Sequence, residues 1–403
     1  MRWAATAGQG LWLVGLATLA AFTVALFLTP VVRRLAERWG MVDEPDGRRV
    51  NIEPVPRAGG LATMTSFVVV AALAVVVNSA LRLIPVPAEL GSLGLLALLG
   101  GGIAAALLGL VDDYLQLRAR WQLLGQLALA GWAIALGIGV DTLNTPFGTT
   151  IHLEGVVEVL FTAFWIVGMI NAINFIDGLD GLSSGIGLIA AATLGTISLT
   201  VTVGQPFISL LCFILAGALL GFLRWNFHPA TVFAGTSGVM FLGFTLAILS
   251  ILGTAKVAVA LLVLGVPIID TFWIIVRRVS QGGTPFTPDR GHIHHRLLDL
   301  GLSHRQAVLA IYGMCLGLAV LSLGLSGTGQ VYAFLGLFVA LGLLLFLLTR
   351  RSFVAEELSA ESYDGRGRSA DRLSRNEVAP RGGPGVEEPS PRVASQGQGR
   401  GRG

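Results

Sequence analysis

The hydrophobic pattern consists of long apolar runs that are separated by short polar stretches. A helix needs about 20 apolar residues to cross the hydrocarbon core of a bilayer. The first run ends in arginines and not in a small-residue cleavage site, so we interpret it as a retained helix. Together the runs predict an all-α, polytopic membrane protein with about eleven transmembrane helices, near residues 11–29, 59–78, 93–111, 121–140, 155–173, 183–203, 206–223, 237–253, 256–276, 307–326 and 330–349.

A different pattern begins after the last run. From about residue 351 the chain has no hydrophobic period and is rich in Gly, Arg, Ser and Pro. A segment of this kind cannot bury enough apolar surface to fold, so it is predicted to be disordered. We therefore expect a polytopic transmembrane domain over residues 1–350 and a disordered tail over residues 351–403.

The arginines between the runs indicate the orientation, because Lys and Arg accumulate on the cytoplasmic side of membrane helices. Most of them fall in alternate loops, and the loops of the opposite face hold only Arg82. The pattern predicts an amino terminus outside and a cytoplasmic tail. The arginine-rich loops lie at residues 30–58, 112–120, 224–236 and 277–306.

Composition agrees with a membrane protein. The 403 residues are 54% hydrophobic and 13% charged, whereas soluble domains carry about 25% charged residues. The net charge is only +3, and we expect no nucleic-acid partner. Cys212 and Cys315 lie in apolar runs without a C-x-x-C spacing, so we expect neither a disulfide nor a thiolate metal site.

The unusual polar stretches all fall on the face that is predicted to be cytoplasmic. Loops carry function on a rigid scaffold, so this asymmetry predicts that the active site lies on the cytoplasmic face. The stretches are "DEPDGRRVNIEPVPRAGG" (43–60), "VDDY" (111–114), "NAINFIDGLDGLSSG" (171–185), "RWNFHPATVFAGTSG" (224–238) and "RGHIHHR" (290–296).

Two adjacent carboxylates, Asp112 and Asp113, stand at the end of a membrane run. Ionisable residues at such depth are costly and usually functional. On a helix the two side chains point about 100° apart, so one can face a pocket while the other meets a neighbour. A carboxylate also opposes the macrodipole at a helix carboxyl end, which makes a mere terminating role a poor explanation.

A second set of oxygen-bearing side chains recurs every three residues, at Asn171, Asn174, Asp177 and Asp180. On a helix this spacing gives one slowly drifting polar stripe. Amide and carboxylate oxygens suit Mg²⁺, which shares its coordination shell with substrate phosphates. The spacing therefore predicts a magnesium and phosphate site.

The third candidate is the histidine cluster His292, His294 and His295, with Arg290 two residues before it. Zinc is not favoured, because helical zinc pairs use an i, i+4 spacing and no partner cluster exists elsewhere. A cationic, hydrogen-bonding site for phosphate fits better. Mg²⁺ ligands, carboxylates and phosphate-binding donors together indicate phosphoryl transfer, and the membrane setting indicates a lipid substrate.

In their order and spacing these motifs resemble one family, the polyprenyl-phosphate N-acetylhexosamine-1-phosphate transferases of glycosyltransferase family 4. The resemblance covers about residues 10–349. The motifs that carry it are "VPRAGG" (55–60), "DD" (112–113), "NAINFIDGLDGL" (171–182), "RWNFHPATVF" (224–233), "PIIDT" (267–271) and "GHIHH" (291–295).

The resemblance implies an Mg²⁺- or Mn²⁺-dependent enzyme that transfers a sugar 1-phosphate from a UDP-sugar to undecaprenyl phosphate and releases UMP. It also implies a bacterial inner-membrane location and leaves a homodimer open. By motif, Asp112 or Asp113 would deprotonate or orient the lipid phosphate, and Asn174 would help to hold the metal. The substrate-binding set would be Arg57, Asn171, Asp177, Asp180, Asn226, Arg290, His292, His294 and His295.

Two details bear on the activity. The stretch "PDRGHIHHRL" resembles the branch that uses UDP-N-acetylglucosamine, so we expect transfer of GlcNAc 1-phosphate at the first membrane step of a cell-wall or surface polysaccharide. The family usually has a metal-binding Asp where this chain has Thr236. A threonine hydroxyl coordinates Mg²⁺ in phosphate-binding loops, but more weakly. Two alternatives stay open: a UDP-MurNAc-pentapeptide phosphotransferase, and a catalytically weak, lipid-binding relative.

Overall fold

A computed structural model describes residues 2–44, 54–87, 90–145, 147–200, 203–253, 256–280, 282, 291–325 and 327–346 of the chain. Arg290 and the tail over residues 351–403 lie outside these residues. The described part is mostly helical, as the hydrophobic pattern predicts. The domain boundary near residue 350 stays a prediction.

The helices follow one another along the chain with short connections. They are α1 (Arg2–Arg38), α2 (Gly60–Leu81), α3 (Ser92–Leu95), α4 (Gly101–Leu115), α5 (Ala119–Ala135), α6 (Val156–Ile176), α7 (Leu182–Leu199), α8 (Pro206–Asn226), α9 (Gly235–Ile251), α10 (Lys256–Val263), α11 (Gly265–Ser280), α12 (Ile293–Asp299), α13 (His304–Gly324) and α14 (Gly327–Phe346). A π-helical turn, Leu96–Gly100, joins α3 to α4.

Among the described residues, eight helices are long and apolar enough to cross a membrane. The count becomes nine if α10 and α11, which meet at a bend of 75°, form one broken span. The chain is therefore a multi-pass membrane protein. Each of the eleven predicted segments overlaps a helix, but α5 and α9 have only 17 residues each. The count of eleven spans and the cytoplasmic side stay predictions.

Helix α9 lies at the centre of the fold, because it packs against α2, α4, α6 and α7. Small residues let the neighbouring backbones approach closely, as is common in membrane helix packing. A Cβ atom on Gly60 of α2 would lie 1.9 Å from Gly238 Cα, and one on Gly109 of α4 would lie 2.3 Å from the Thr236 carbonyl oxygen. The approach at Gly109 brings the end of α4 against the start of α9.

Two small antiparallel hairpins complete the described fold. Strand β1 (Val42–Asp43) pairs with β2 (Val55–Pro56), and β3 (Thr142–Asn144) pairs with β4 (Thr150–His152). The β2 segment is tied to the start of α9, because the Phe233 N–H donates to the Pro56 carbonyl and the Gly60 N–H to the Ala234 carbonyl. The first hairpin therefore borders the same region as the end of α4.

Candidate active site

A cavity of about 340 Å³ opens where several helices begin or end. Ligand pockets commonly have volumes of about 300–1,000 Å³. Its walls come from β1, the residue after β2, the ends of α4, α6 and α8, the turn after α6, α12, and the starts of α9 and α13. We call it the cleft. It brings together the following predicted site residues: Arg57, Asp113, Asn174, Asp177, Asp180, Asn226, Thr236 and His295.

Asp113 lies in the cleft directly under the first turn of α9. Its Oδ1 accepts a hydrogen bond from the Thr236 N–H at 2.8 Å, and its Oδ2 accepts one from the Ser237 N–H at 3.0 Å. The first N–H groups of a helix lack partners within the helix and carry partial positive charge. They offset part of the cost of burying this carboxylate. A carboxylate has about four acceptor positions, so Asp113 keeps capacity for a ligand.

Gly235 allows this contact to form. Its φ is +70°, a region that favours glycine. A Cβ atom there would lie 2.7 Å from both Asp113 Oδ2 and the Ala58 nitrogen. Any larger residue would push Asp113 away from the first turn of α9, so the glycine is required by both conformation and space.

Asp112 points elsewhere, although it is buried as well. Its Oδ1 accepts from the Leu117 N–H at 2.9 Å and from Gln122 Nε2 at 2.7 Å. These bonds close the turn between α4 and α5. Asp112 is absent from the lining of the cleft, so the structure brings only one member of the predicted catalytic pair to the other candidate residues.

The polar repeat after residue 170 divides in a similar way. Helix α6 ends at Ile176, so a turn, and not a continuous helical stripe, places Asp177 and Asp180 beside Asn174 in the cleft. Asn171 lies one turn earlier. Its amide donates to Gln126 Oε1 of α5 at 2.7 Å and to the Val167 carbonyl at 2.8 Å. Asn171 therefore links two helices outside the cleft lining.

Asp177 has a strongly perturbed carboxyl group. The pKa of its carboxyl is raised to about 6, chiefly by burial; a hydrogen bond from Ser183 opposes the shift, and the nearby Asp113 and Asp180 charges add to it. A carboxyl group with a pKa of about 6 changes its protonation near neutral pH. Groups of this kind are candidates for acid–base chemistry.

Asp180, His228 and His304 form a compact cluster at the edge of the cleft. Asp180 Oδ2 pairs with His228 Nδ1 at 2.7 Å and accepts from the Ala230 N–H at 3.0 Å, while the Asp180 N–H donates to His304 Nε2 at 2.9 Å. The two histidines look isolated in the sequence. The fold stacks their rings at 4.1 Å with an interplanar angle of 16°.

The cluster brings three ligand atoms within 4.8 Å of one another, but stacked rings suit one metal ion poorly. Each imidazole lone pair lies in its ring plane. An ion in the plane of one ring would therefore lie well outside the plane of the other. We interpret the cluster as a hydrogen-bonded group at the edge of the cleft, to which Asp180 and His304 contribute lining, and not as a metal centre.

The predicted histidine segment is anchored from behind. His292 Nδ1 pairs with Asp270 Oδ2 of α11 at 2.7 Å, and His292 does not line the cleft. His294 is 1% exposed, and a Cβ atom on Gly178 would lie 2.1 Å from its Nε2. Burial lowers the pKa of His294 well below its usual range, so this imidazole is neutral. Of the three histidines, His295 lines the cleft.

Two polar pairs complete the cleft. The Arg57 guanidinium forms an ion pair with Asp43 of β1, and both residues line the cavity. Asn226 is held by Ser184, whose hydroxyl donates to its Oδ1 at 2.9 Å, and by its own bond to the Val232 carbonyl at 3.0 Å. Both cleft side chains are thus fixed in place.

The lining is suited to a divalent cation. Oxygen ligands from Asn174, Thr236 and the nearby carboxylates meet in one cavity, and Mg²⁺ prefers such ligands. Among the described lining residues, the carboxylates outnumber the guanidinium of Arg57. They are Asp43, Asp113, Asp177 and Asp180. An anionic substrate would be repelled by this lining unless a cation neutralises it.

Four residues of this region were not predicted as site residues from the sequence. Asp43 lies in a loop stretch without a motif of its own, and His228 and His304 have no neighbouring histidine to indicate a role. Asp270 lies within a predicted span, in "PIIDT". A carboxylate inside an apolar run is the signal that could have found it.

The chain is similar in sequence to several known proteins. A model of glycosyl transferase family 4 matches residues 95–254. A Bacillus subtilis (strain 168) protein named "Probable undecaprenyl-phosphate N-acetylglucosaminyl 1-phosphate transferase" is 36% identical over 302 residues, which cover 73% of this chain and 80% of that protein.

Two further relatives carry similar names. The "Decaprenyl-phosphate N-acetylglucosaminephosphotransferase" of Mycolicibacterium smegmatis is 34% identical over 374 residues, covering 85% of this chain and 90% of that protein. The "Undecaprenyl-phosphate alpha-N-acetylglucosaminyl 1-phosphate transferase" of Thermotoga maritima is 29% identical over 274 residues, covering 68% and 78%.

Proposed function

This chain belongs to glycosyl transferase family 4, and we propose that it transfers N-acetylglucosamine 1-phosphate from UDP-N-acetylglucosamine to a polyprenyl phosphate and releases UMP. The observation that carries the proposal is the cleft, in which Asp113, Asn174, Asp177 and Arg57 meet at the ends of membrane helices. A polar substrate and the head group of a lipid can reach such a position together.

The names of the relatives support the choice of sugar. All three name N-acetylglucosamine, and they differ in the lipid, which is undecaprenyl phosphate in two and decaprenyl phosphate in one. They favour the GlcNAc donor over UDP-MurNAc-pentapeptide. For the acceptor we propose undecaprenyl phosphate, and for the location a bacterial inner membrane with the cleft facing the cytoplasm.

The reaction is a displacement at phosphorus. An oxygen of the acceptor phosphate attacks the phosphorus atom that carries the sugar, and a new P–O–P bond forms. The bond from that phosphorus to the bridging oxygen of the donor breaks, and UMP leaves with this oxygen. Positioning and charge neutralisation provide most of the rate enhancement in such transfers.

The residues of the cleft divide these tasks. Asp113 is positioned to orient the acceptor phosphate and to take its proton, because its carboxylate is held between the α9 N–H groups and the cavity. Arg57 and His295 donate hydrogen bonds to the diphosphate. Asp177 and Asp180 with Asn226 line the nucleotide side.

Mg²⁺ or Mn²⁺ would be held by Asn174 and Thr236 with a neighbouring carboxylate. When bound, the cation supplies charge neutralisation at the donor diphosphate. Thr236 offers a neutral hydroxyl at a position where an anionic ligand would bind more strongly. The cation must therefore depend more on the substrate phosphates.

The direct test uses the purified full-length protein in lipid nanodiscs with undecaprenyl phosphate and Mg²⁺. UDP-GlcNAc and UDP-MurNAc-pentapeptide are offered separately, and UMP release is measured. We expect release with UDP-GlcNAc, together with a lipid diphosphate sugar by mass spectrometry. UMP release with UDP-MurNAc-pentapeptide but not with UDP-GlcNAc would show that the proposed donor is wrong. Inactivity with both donors, with activity appearing in Thr236→Asp, would favour a catalytically weak relative.

The orientation has its own test. Phe147, which is 90% exposed beside the second hairpin, lies on the face that we place outside, and His295 lies in the cleft. In intact cells an impermeant thiol reagent should label Phe147→Cys and spare His295→Cys. Cys212 and Cys315 are buried, so the parent protein is a suitable blank. The reverse labelling would invert the topology.

A further inference from the structure

Asp270 is a buried carboxylate that the proposed reaction does not use. It lies in α11, the second half of the bent helix pair, and is 1% exposed. A charged side chain within an apolar membrane helix is costly unless it is paired or has a function. Asp270 is not part of the cleft lining, so its role has to be sought in its neighbours.

Both carboxylate oxygens of Asp270 bind the histidine segment. Oδ2 pairs with His292 Nδ1 at 2.7 Å, and Oδ1 accepts from the Ile293 N–H at 2.8 Å. The second bond satisfies an N–H group in the first turn of α12, which has no partner within the helix. Asp270 therefore fixes both the ring of His292 and the backbone where α12 begins.

From His292 a series of contacts leads to the cleft. The rings of His292 and His294 are nearly parallel, with centroids 5.4 Å apart and an interplanar angle of 10°. His294 is packed against Gly178, and its ring centroid lies 4.4 Å from that of His295. Because His294 is 1% exposed, we expect a shift of His292 to change the positions of His294 and His295.

We propose that Asp270 is a positioning residue, which places His295 in the cleft by holding His292 and the first turn of α12. The loss of a partner that orients a metal-binding histidine typically costs about 10–100-fold in metal affinity or activity, and we expect an effect of this kind for a partner that orients the histidine segment. An apolar residue would fill the same space without a desolvation cost, so packing alone does not account for a carboxylate here.

The first test is a double-mutant cycle on kcat/KM for UDP-GlcNAc, and its kinetic readout rests on the proposed function. In Asp270→Asn one of the two acceptor oxygens becomes an NH2 group, so the Ile293 N–H and the His292 ring can no longer both find an acceptor. We expect a loss of about tenfold or more. His295→Gln should lower kcat/KM too, and the double variant should be little worse than the poorer single variant. Multiplying losses would overturn the proposal.

A rescue experiment separates positioning from general stability. His292→Asn keeps a donor near the Nδ1 position, whereas His292→Leu removes it. The Asn variant should be more active than the Leu variant when Asp270 is present, and this advantage should vanish in Asp270→Asn. An advantage that persists without Asp270 would contradict the proposal. Thr271→Val, a shape-conserving change at the next buried residue, is the matched control and should leave kcat/KM unchanged.

An activity-independent readout keeps this inference distinct from the proposed function. In the purified protein, the thiol of His295→Cys should react with a maleimide at a rate that changes at least about twofold when Asp270→Asn is added, and not when Thr271→Val is added. An unchanged rate in properly folded protein would overturn the inference even if the enzyme is active. A changed rate in a protein without transferase activity would retain it while the proposed function fails.

Discussion

Asp112 and Asp113 are consecutive in α4, but they belong to two different regions of the molecule. Asp113 faces the first turn of α9 and the cleft, and both of its oxygens accept backbone N–H groups of α9. Asp112 faces the turn between α4 and α5, and its Oδ1 accepts from Leu117 and Gln122. The α9 side brings together parts of the chain that are far apart in sequence, whereas the α5 side is local.

The difference shows how one helix end can serve two purposes. A carboxylate near a helix carboxyl end is unfavourable on its own, so each Asp requires donors from outside α4. The donors of Asp112 come from the next ten residues, which makes it a structural closure of a turn. The donors of Asp113 come from a separate helix that also presents Thr236 to the cavity, which leaves Asp113 open to a substrate.

The largest expected effect follows from this comparison. Asp113→Asn keeps the size of the side chain but removes its charge. It also places an NH2 group against one of the two α9 N–H donors. We expect kcat to fall by at least about 10²-fold, the scale of acid–base and electrostatic contributions. The fall in kcat is measured as the rate of UMP release per correctly folded molecule.

Asp112→Asn is the matched control, since it makes the same change at the adjacent position. The amide oxygen can still accept from Leu117 or Gln122, so we expect kcat within about threefold of wild type and a modest loss of stability of about 1 kcal/mol. Equal losses of activity in both variants would show that the two regions are coupled, and normal turnover in both would remove Asp113 from the mechanism.

This comparison also shows where sequence reasoning reaches its limit. The helical segments followed from the length of the apolar runs, and the candidate site residues followed from polar spacing or from the family resemblance, because these signals are local in the sequence. The separate roles of Asp112 and Asp113 could not be predicted, because neighbouring identical residues have the same local signals. Only the approach of α4 to α9 at Gly109 determines which carboxylate meets the cleft.

The cluster of Asp180, His228 and His304 illustrates the same limit. These residues come from three separate segments of the chain, and nothing in their spacing indicates that two imidazole rings would stack. Asp43 and Arg57 are 14 positions apart and meet because a short hairpin pairs β1 with β2. Contacts of this kind arise from the arrangement of helices and strands, which residue spacing does not encode.

The second prediction extends the comparison to pH. The pKa of the Asp177 carboxyl is raised to about 6, chiefly by burial. If its ionised form is required, kcat/KM falls as the pH drops through about 6. At pH 5 it should be about tenfold below its plateau, because about one molecule in ten keeps the carboxylate ionised.

Two variants control for this fall in kcat/KM at low pH, which we call the acid limb. Asp112→Asn should retain the acid limb near pH 6, since Asp112 lies outside the cleft. Asp177→Asn should be less active at all pH values and should lack the limb. An unchanged limb in Asp177→Asn would assign it to another group, such as the acceptor phosphate.

The third prediction concerns the region opposite Asp113. Thr236→Asp adds an anionic oxygen to the cleft and should lower the Mg²⁺ concentration for half-maximal activity by several-fold, about 1 kcal/mol of binding free energy. Thr236→Val removes the hydroxyl at nearly constant shape and should raise that concentration. UMP release against Mg²⁺ concentration compares the three proteins, and coinciding curves would place the metal away from residue 236.

The smallest expected effect tests the local side of the comparison at a second site. Asn171 belongs to the predicted substrate-binding set, but its amide binds Gln126 across α5 and α6. Asn171→Leu leaves the nearly buried Gln126 carboxamide without that partner, which costs about 1–3 kcal/mol. Replacing both residues by Leu removes both polar groups and should restore most of the stability. Thermal unfolding of the single and double variants measures these changes in stability.

In every variant the KM for UDP-GlcNAc should stay within about twofold of wild type, because neither side chain lines the cleft. A large rise of KM in Asn171→Leu that the double variant does not reverse would return Asn171 to the substrate-binding set.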